Sequence, residues 1–143
     1  MSAVLRARGR DFDVDAFLSG STLEPCRIYR RGEPRFPGSR SQAPLLEKSG
    51  MHVVVSAADF HEFPKQVVAA TAFLLAAAEE IHRLRTFPGV EDLILDFGIE
   101  RRDVAVQSDH LPADLIRAAA ALGLGIELSQ YPPRDVKDEQ SPR

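Results

Sequence analysis

The feature that most constrains the fold is a long run of apolar residues at helical spacing that follows a β-branched stretch. Residues 51–57, Met-His-Val-Val-Val-Ser-Ala, are typical of a buried strand. Pro64 suits a first helical turn, and apolar residues then recur at three- and four-residue steps to about Arg85. This period predicts one long helix. Because a helix that is apolar on nearly all sides is usually covered, we expect it to be buried against a sheet.

The flanking patterns predict further strands and two short helices. Other strands are predicted at 3–8, 26–30, 93–99, 104–107 and 124–128, with a short helix after Asp13 and another from about Pro112 to Gly123. Residues 51–131 therefore have the β-α-β-β-α-β order of ferredoxin-like folds, preceded by a β-α-β segment. We predict an α+β fold with a mixed, largely antiparallel sheet and with helices on one face.

Length and composition fit one domain. The chain has 143 residues, of which 44% are hydrophobic and 27% are charged, and these are globular values. We assign residues 1–132 to a single domain and residues 133–143, which are polar, to a flexible C-terminal tail. Residues 31–50 are rich in Gly, Pro and Ser, and they predict a long surface loop of the kind that is often functional or disordered.

Charge and hydropathy exclude several classes of protein. A net charge of -3 argues against a general nucleic-acid binder, which needs a basic surface. No apolar stretch is long enough to span a bilayer, and the N-terminus lacks the apolar region of a signal peptide, so we expect a cytoplasmic protein. The charge is uneven. Residues 26–40 hold five arginines and one glutamate, whereas residues 87–143 hold eleven acids and six bases.

No motif is specific enough to name a reaction. Cys26, the single cysteine, has no histidine near it in sequence and is expected to be a small core residue rather than a nucleophile. His61 and His110 each precede a helix, where turn and capping roles account for them, so we predict no metal site. We therefore predict no catalytic residue, no cofactor and no metal, and the chain is more typical of a binding protein than of an enzyme.

Two charged sets are candidates for binding a partner protein. The basic set combines aromatic anchors with guanidinium groups, as protein hot spots and phosphate or carboxylate sites do, and it contains Arg27, Tyr29, Arg30, Arg31, Arg35 and Phe36. The alternative is a solvated segment whose arginines pair with the acidic C-terminal half. The acidic set would meet a basic partner, and it contains Glu91, Asp92, Asp96, Glu100 and Asp103.

Three segments resemble a family of small bacterial α+β proteins of unknown function. They are residues 5–18 (Leu-x-x-x-Gly-x-Asp-Phe-Asp-Val-Asp-x-Phe-Leu), residues 27–33 (Arg-Ile-Tyr-Arg-Arg-Gly-Glu) and residues 122–132 (Leu-Gly-Leu-Gly-Ile-Glu-Leu-Ser-Gln-Tyr-Pro). The resemblance covers most of residues 3–132 and implies no catalytic residues. Some proteins of this kind are encoded near secreted toxins and look like immunity proteins.

These observations lead to one functional hypothesis and two alternatives. We predict a bacterial, cytoplasmic, non-catalytic protein-binding module, and the resemblance implies an immunity protein that neutralises a toxin as its specific form. The first alternative is a small-molecule- or metal-binding protein or a minor enzyme. The second is a structural subunit that forms a homodimer through the Ala-rich helix around residues 69–78.

Overall fold

The computed structural model describes residues 2–36 and 44–133 and contains one five-stranded sheet. In chain order the elements are β1 (Ala3–Gly9), α1 (Val14–Leu18), β2 (Arg27–Tyr29), β3 (Ser49–Ser56), α2 (Phe63–Ala76), α3 (Ala78–Arg85), β4 (Asp92–Glu100), α4 (Ala113–Ala121) and β5 (Gly125–Tyr131). The strand order is β2-β3-β1-β4-β5, and among these strands β4 and β5 form a parallel pair whereas the other neighbours are antiparallel. The predicted α+β class with a mixed, largely antiparallel sheet is confirmed.

The helices connect strands that run in the same direction. β3 and β4 both pair antiparallel with the central strand β1, so they are parallel to each other, and α2 and α3 join them. Parallel neighbours need such a crossover connection, and α4 supplies it between β4 and β5. This topology leaves β2 and β5 at the two edges of the sheet.

One face of the sheet bears the apolar core. In β1 the side chains of Ala3, Leu5 and Ala7 are buried, whereas the alternate residues are partly exposed, as the two-residue period of a strand requires. The helices cover the buried face with fully buried side chains, among them Phe17, Leu74, Ile81, Leu84 and Leu115. The prediction of helices on one face is thus confirmed for the part of the chain described, and the opposite face has no helix over it.

The predicted strand at 104–107 is wrong. Val104 and Val106 are 53% and 77% exposed, and the segment from 101 to 112 contains no strand. A side chain closes this loop instead: Arg102 N–H donates to Gln107 Oε1 at 2.8 Å, and Gln107 Nε2 donates to the Glu100 carbonyl at 3.2 Å. An alternating apolar pattern is not sufficient for a strand, because a strand also needs a neighbouring strand to pair with. Residues 51–131 therefore lack the full ferredoxin-like order.

The predicted long helix is in fact two helices. α2 ends at Ala76 and α3 begins at Ala78, and Ala77 between them has φ -102° and ψ 18°. Leu74 and Ile81, on either side of the break, are both fully buried. The apolar spacing continues across the break because both helices bury residues in the same core, so periodicity alone does not reveal it.

Two further predictions concern the C-terminal tail and membrane spans. Residues 134–143, most of the predicted tail, lie outside the described residues. Among the helices described, none combines the length and the hydropathy needed to cross a membrane.

Candidate ligand-binding cleft

Residues 30–36 and 44–48 lie side by side and form an irregular arm next to the sheet. Gly32 N–H donates to the Leu46 carbonyl at 2.9 Å, Leu46 N–H donates to the Glu33 carbonyl at 2.8 Å, and Arg35 N–H donates to the Pro44 carbonyl at 3.1 Å. The predicted loop of residues 31–50 is therefore hydrogen-bonded over most of its described length. Its last two residues belong to β3, and residues 37–43 lie outside the described residues.

A cleft of about 460 Å³ lies between this arm and the uncovered face of the sheet. Arg8, Arg27, Tyr29 and His52 line it from the sheet, and Arg35 and residues 44–48 line it from the arm. The strand register explains the sheet side, because Arg27 is opposite His52 in the β2–β3 pair and Tyr29 lies two residues along the same face. The volume falls within the roughly 300–1,000 Å³ of small-molecule sites.

Because Gly50 has no side chain, the Tyr29 side chain can pack against β3. A Cβ atom at Gly50 would overlap the Tyr29 hydroxyl and would lie 2.6 Å from the Ala7 carbonyl oxygen. The Tyr29 ring meets the His52 ring edge-on at a centroid distance of 5.9 Å, and the Arg27 guanidinium carbon lies 5.6 Å from the Tyr29 ring centroid. These contacts hold an aromatic side chain beside a cation at the cleft.

The cationic side chains of the cleft fall into two groups. Arg8 and Lys48 are neutralised, because Arg8 Nε lies 2.8 Å from Asp92 Oδ2 and Lys48 Nζ lies 2.9 Å from Glu91 Oε2. Arg27 and Arg35 form no ion pair with any residue of the described ranges. Two guanidinium groups therefore line the cleft without a carboxylate partner in the described part of the chain.

The paired groups have pKa values that reflect these contacts. The hydrogen bond from Arg8 lowers the pKa of Asp92 and in turn raises the pKa of Arg8. A backbone N–H of Arg10 and then the Lys48 ammonium lower the pKa of Glu91. The carboxylates are therefore charged at neutral pH, and through Lys48 they join the arm to the start of β4.

His52 is held in its neutral form. Burial lowers the pKa of His52 below its usual value of 6.5, and the positive charges of Arg27 and Arg6 lower that pKa further, against a smaller opposing effect of Asp96. At neutral pH the imidazole therefore adds no positive charge to the cleft and can both donate and accept a hydrogen bond.

A smaller chamber of about 20 Å³ adjoins the cleft and shares Arg8, Tyr29 and His52 with it. Arg6 also lines this chamber, and its Nε atom is buried with no hydrogen-bond partner among residues 2–36 and 44–133. The terminal nitrogen of Arg6 pairs with Glu127. A buried donor without an acceptor is costly, and the chamber has room for about one water molecule or one ligand oxygen.

The structure divides the predicted basic set. Arg27, Tyr29 and Arg35 line the cleft, whereas Arg30 and Arg31 point to the α1 region. Arg30 makes two hydrogen bonds to Asp15, at 2.9 and 2.8 Å, and Arg31 lies 3.3 Å from Asp11. Arg30 and Arg31 therefore form ion pairs with acidic residues of the N-terminal segment. The alternative interpretation pairs them with acids of the C-terminal half instead. Phe36, at the end of the arm, is 63% exposed.

The predicted acidic set does not form one continuous face. Glu91 and Asp92 neutralise cations beside the cleft, and Asp96 accepts a hydrogen bond from Ser129 Oγ at 2.7 Å and lies 3.7 Å from Arg6. Glu100 is at the opposite end of β4 from Asp92, about 26 Å away at the usual rise of a strand. Asp103 is exposed in the loop after β4.

Sequence reasoning missed five ionisable residues of the cleft and its chamber: Arg6, Arg8, Glu47, Lys48 and His52. The alternation in β1 does place Arg6 and Arg8 on its polar face, but only the strand register sets them opposite β3. The prediction of Cys26 as a core residue is wrong, because Cys26 is exposed, and its Sγ donates to the backbone carbonyl of His52 at 3.3 Å, not to the imidazole.

A second group of polar side chains lies in the loop before α2. Atoms of Asp59, His61 and Glu62 that could bind a metal ion lie within 4.8 Å of one another. The Glu62 carboxylate, however, already accepts a hydrogen bond from Asp59 N–H and forms an ion pair with Lys65. These contacts hold the turn into α2 and account for the cluster without a metal ion.

Comparison with known proteins gives no relative: no family model, no curated protein and no solved structure matches this chain. The resemblance to small bacterial α+β proteins stays a prediction, and function must be inferred from the geometry of the cleft.

Proposed function

We propose that this protein is a non-catalytic binding module and that a partner protein docks on the uncovered sheet face around the cleft. The observation that supports this most is that Arg27 and Arg35 line the cleft without a carboxylate partner among the residues that the structure describes, although Arg30 and Arg31 beside them are paired. An unpaired guanidinium group is available for two-pronged contacts to carboxylate or phosphate. Tyr29 adds an aromatic anchor, and Tyr and Arg are the residues that dominate protein hot spots.

The chemistry of the lining residues favours binding over catalysis. Among the described residues that line the cleft, none is a serine, threonine or cysteine next to a general base. Its imidazole, His52, has its ring against Tyr29 and a pKa lowered mainly by burial. The cations outnumber Glu47, the one acid among these lining residues, so the site suits an anionic group.

For an immunity protein, the charges of the cleft favour a toxin with an acidic surface over one with a basic surface. A basic toxin that docks on the predicted acidic set has little support, because Glu91, Asp92 and Asp96 already have partners within the chain. A toxin that presents an acidic segment to the cleft fits Arg27 and Arg35 better, and the attraction between opposite charges also speeds association.

Affinity capture with matched variants tests the proposal. Tagged wild-type protein, the double variant Arg27→Gln/Arg35→Gln and the control Arg101→Gln/Arg117→Gln are incubated with lysate of the source organism. The control removes two exposed arginines that do not line the cleft. We expect one stoichiometric protein that wild type and control retain and that the cleft variant loses by about tenfold. Equal retention by all three forms, or no retained protein, would contradict the proposal.

A further inference from the structure

We infer that the group of the partner that enters the cleft is a phosphomonoester on a side chain, held between Arg27 and Arg35. This inference rests on the proposed function for the docking surface, and it adds the chemistry of the anchoring group. Arginine clusters are the usual means by which proteins read phosphorylated segments.

The cleft presents two guanidinium groups to an anion. Arg8 and Lys48 are paired with Asp92 and Glu91, so among the described lining residues Arg27 and Arg35 are the cations without an ion pair, and Glu47 is the one acid. A phosphomonoester has a charge of about -1.5 to -2 at neutral pH and can satisfy both guanidinium groups at once. A single carboxylate has one charge and two acceptor oxygens, so it offers fewer hydrogen bonds to two guanidinium groups than a phosphoryl group with three oxygens.

The chamber supplies a place for a further oxygen. A phosphoryl group has three acceptor oxygens, and two guanidinium groups leave capacity for another donor. The Nε of Arg6 is a further buried donor without an acceptor among the described residues, and Arg6 lines a chamber of about 20 Å³ beside Tyr29 and His52.

Contacts within the chain hold the arm of the cleft in place. Lys48 joins the arm to Glu91 at 2.9 Å, and Arg31 N–H donates to Ser49 Oγ at 2.8 Å, so the arm is fixed to the sheet on two sides. A preformed site loses less conformational entropy on binding than one that must close.

Isothermal titration calorimetry of the full chain tests the site with phenyl phosphate, which resembles a phosphorylated aromatic side chain. Phenylacetate is the monoanionic comparator. We expect one phenyl phosphate per chain, bound about tenfold more tightly than phenylacetate. The variant Arg27→Gln/Arg35→Gln should weaken binding by about tenfold, whereas Arg101→Gln/Arg117→Gln should leave it unchanged.

Several outcomes would overturn the inference. They are no binding of phenyl phosphate at about millimolar concentration, equal affinity for phenylacetate, or equal affinity of the cleft variant. Melting curves of each variant verify that it is folded, and substitutions at exposed arginines leave the core intact.

A second arm tests the source of the phosphoryl group. Treatment of the captured partner with phosphatase should reduce its capture by about tenfold. If capture is unchanged although phenyl phosphate binds, the phosphoryl group does not come from the partner and the inference is wrong on that point. If the partner depends on Arg27 and Arg35 but phenyl phosphate does not bind, the inference fails while the proposed function stands.

Discussion

Leu74 and Leu75 are neighbours in α2 and should respond very differently to truncation. Leu74 is 0% exposed and Leu75 is 68% exposed. Leu74→Ala loses the transfer free energy of a buried side chain, about 1.5–3 kcal/mol, and leaves a cavity, so the full cost is about 2–5 kcal/mol. Leu75→Ala loses little buried surface, and alanine is the better helix former, so the free energy of unfolding should change by less than about 0.5 kcal/mol.

Urea unfolding of the wild type and the two variants measures this difference directly. Because both substitutions remove the same atoms from adjacent positions of one helix, each is the control for the other. The slope of the free energy with urea should stay constant. Equal losses, or a larger loss for Leu75→Ala, would refute the orientation of α2 on the sheet. Repeating the series at about tenfold higher protein concentration tests the homodimer alternative, since a second copy over Leu75 would make its loss concentration-dependent.

Three further predictions concern stability. Gly9→Ala should cost about 1–3 kcal/mol in urea unfolding, because its methyl group would overlap a backbone carbonyl of the adjacent loop, whereas Gly20→Ala, with open space around it, should stay near wild type. The lowered pKa of His52 means that the unfolded state binds more protons between the folded pKa and 6.5, so stability should rise with pH in that window and His52→Gln should remove the rise. Arg83→Ala should cost about 1–3 kcal/mol, because its guanidinium lies 4.1 Å from the Phe17 ring centroid and donates to the Phe17 carbonyl at 2.9 Å, and no change in the midpoint would contradict this.

The parts of the fold that sequence predicts well are those with strong local signals. The alternation of small apolar residues with Arg6 and Arg8 gives β1 and its polar face, as observed. Asp13 begins α1 and its carboxylate accepts the Ala16 N–H at 3.0 Å, as an N-cap does. Gly123 ends α4 with φ 71°, a left-handed conformation that glycine adopts readily. Each of these signals depends on only a few neighbouring residues.

The cleft depends on contacts that no local pattern contains. Arginine-rich composition marks the segment from residue 27 to residue 35, but it does not reveal which arginines are paired. Arg30 forms a hydrogen bond to Asp15, which is 15 residues away in the sequence, and Lys48 forms one to Glu91, which is 43 residues away. Arg27 and Arg35, which line the cleft without an ion pair to any described residue, are identified only when the strand register and the position of the arm are known.

The most direct test of the cleft as the recognition surface is a map of backbone amide chemical shifts in ¹⁵N-labelled protein titrated with phenyl phosphate. We expect the largest shifts at Arg8, Arg27, Tyr29 and His52, and we expect the amides of α2 and α4 on the opposite face to stay unchanged. Shifts centred on α2 or α4, or no shifts at saturating probe, would contradict the assignment of the cleft.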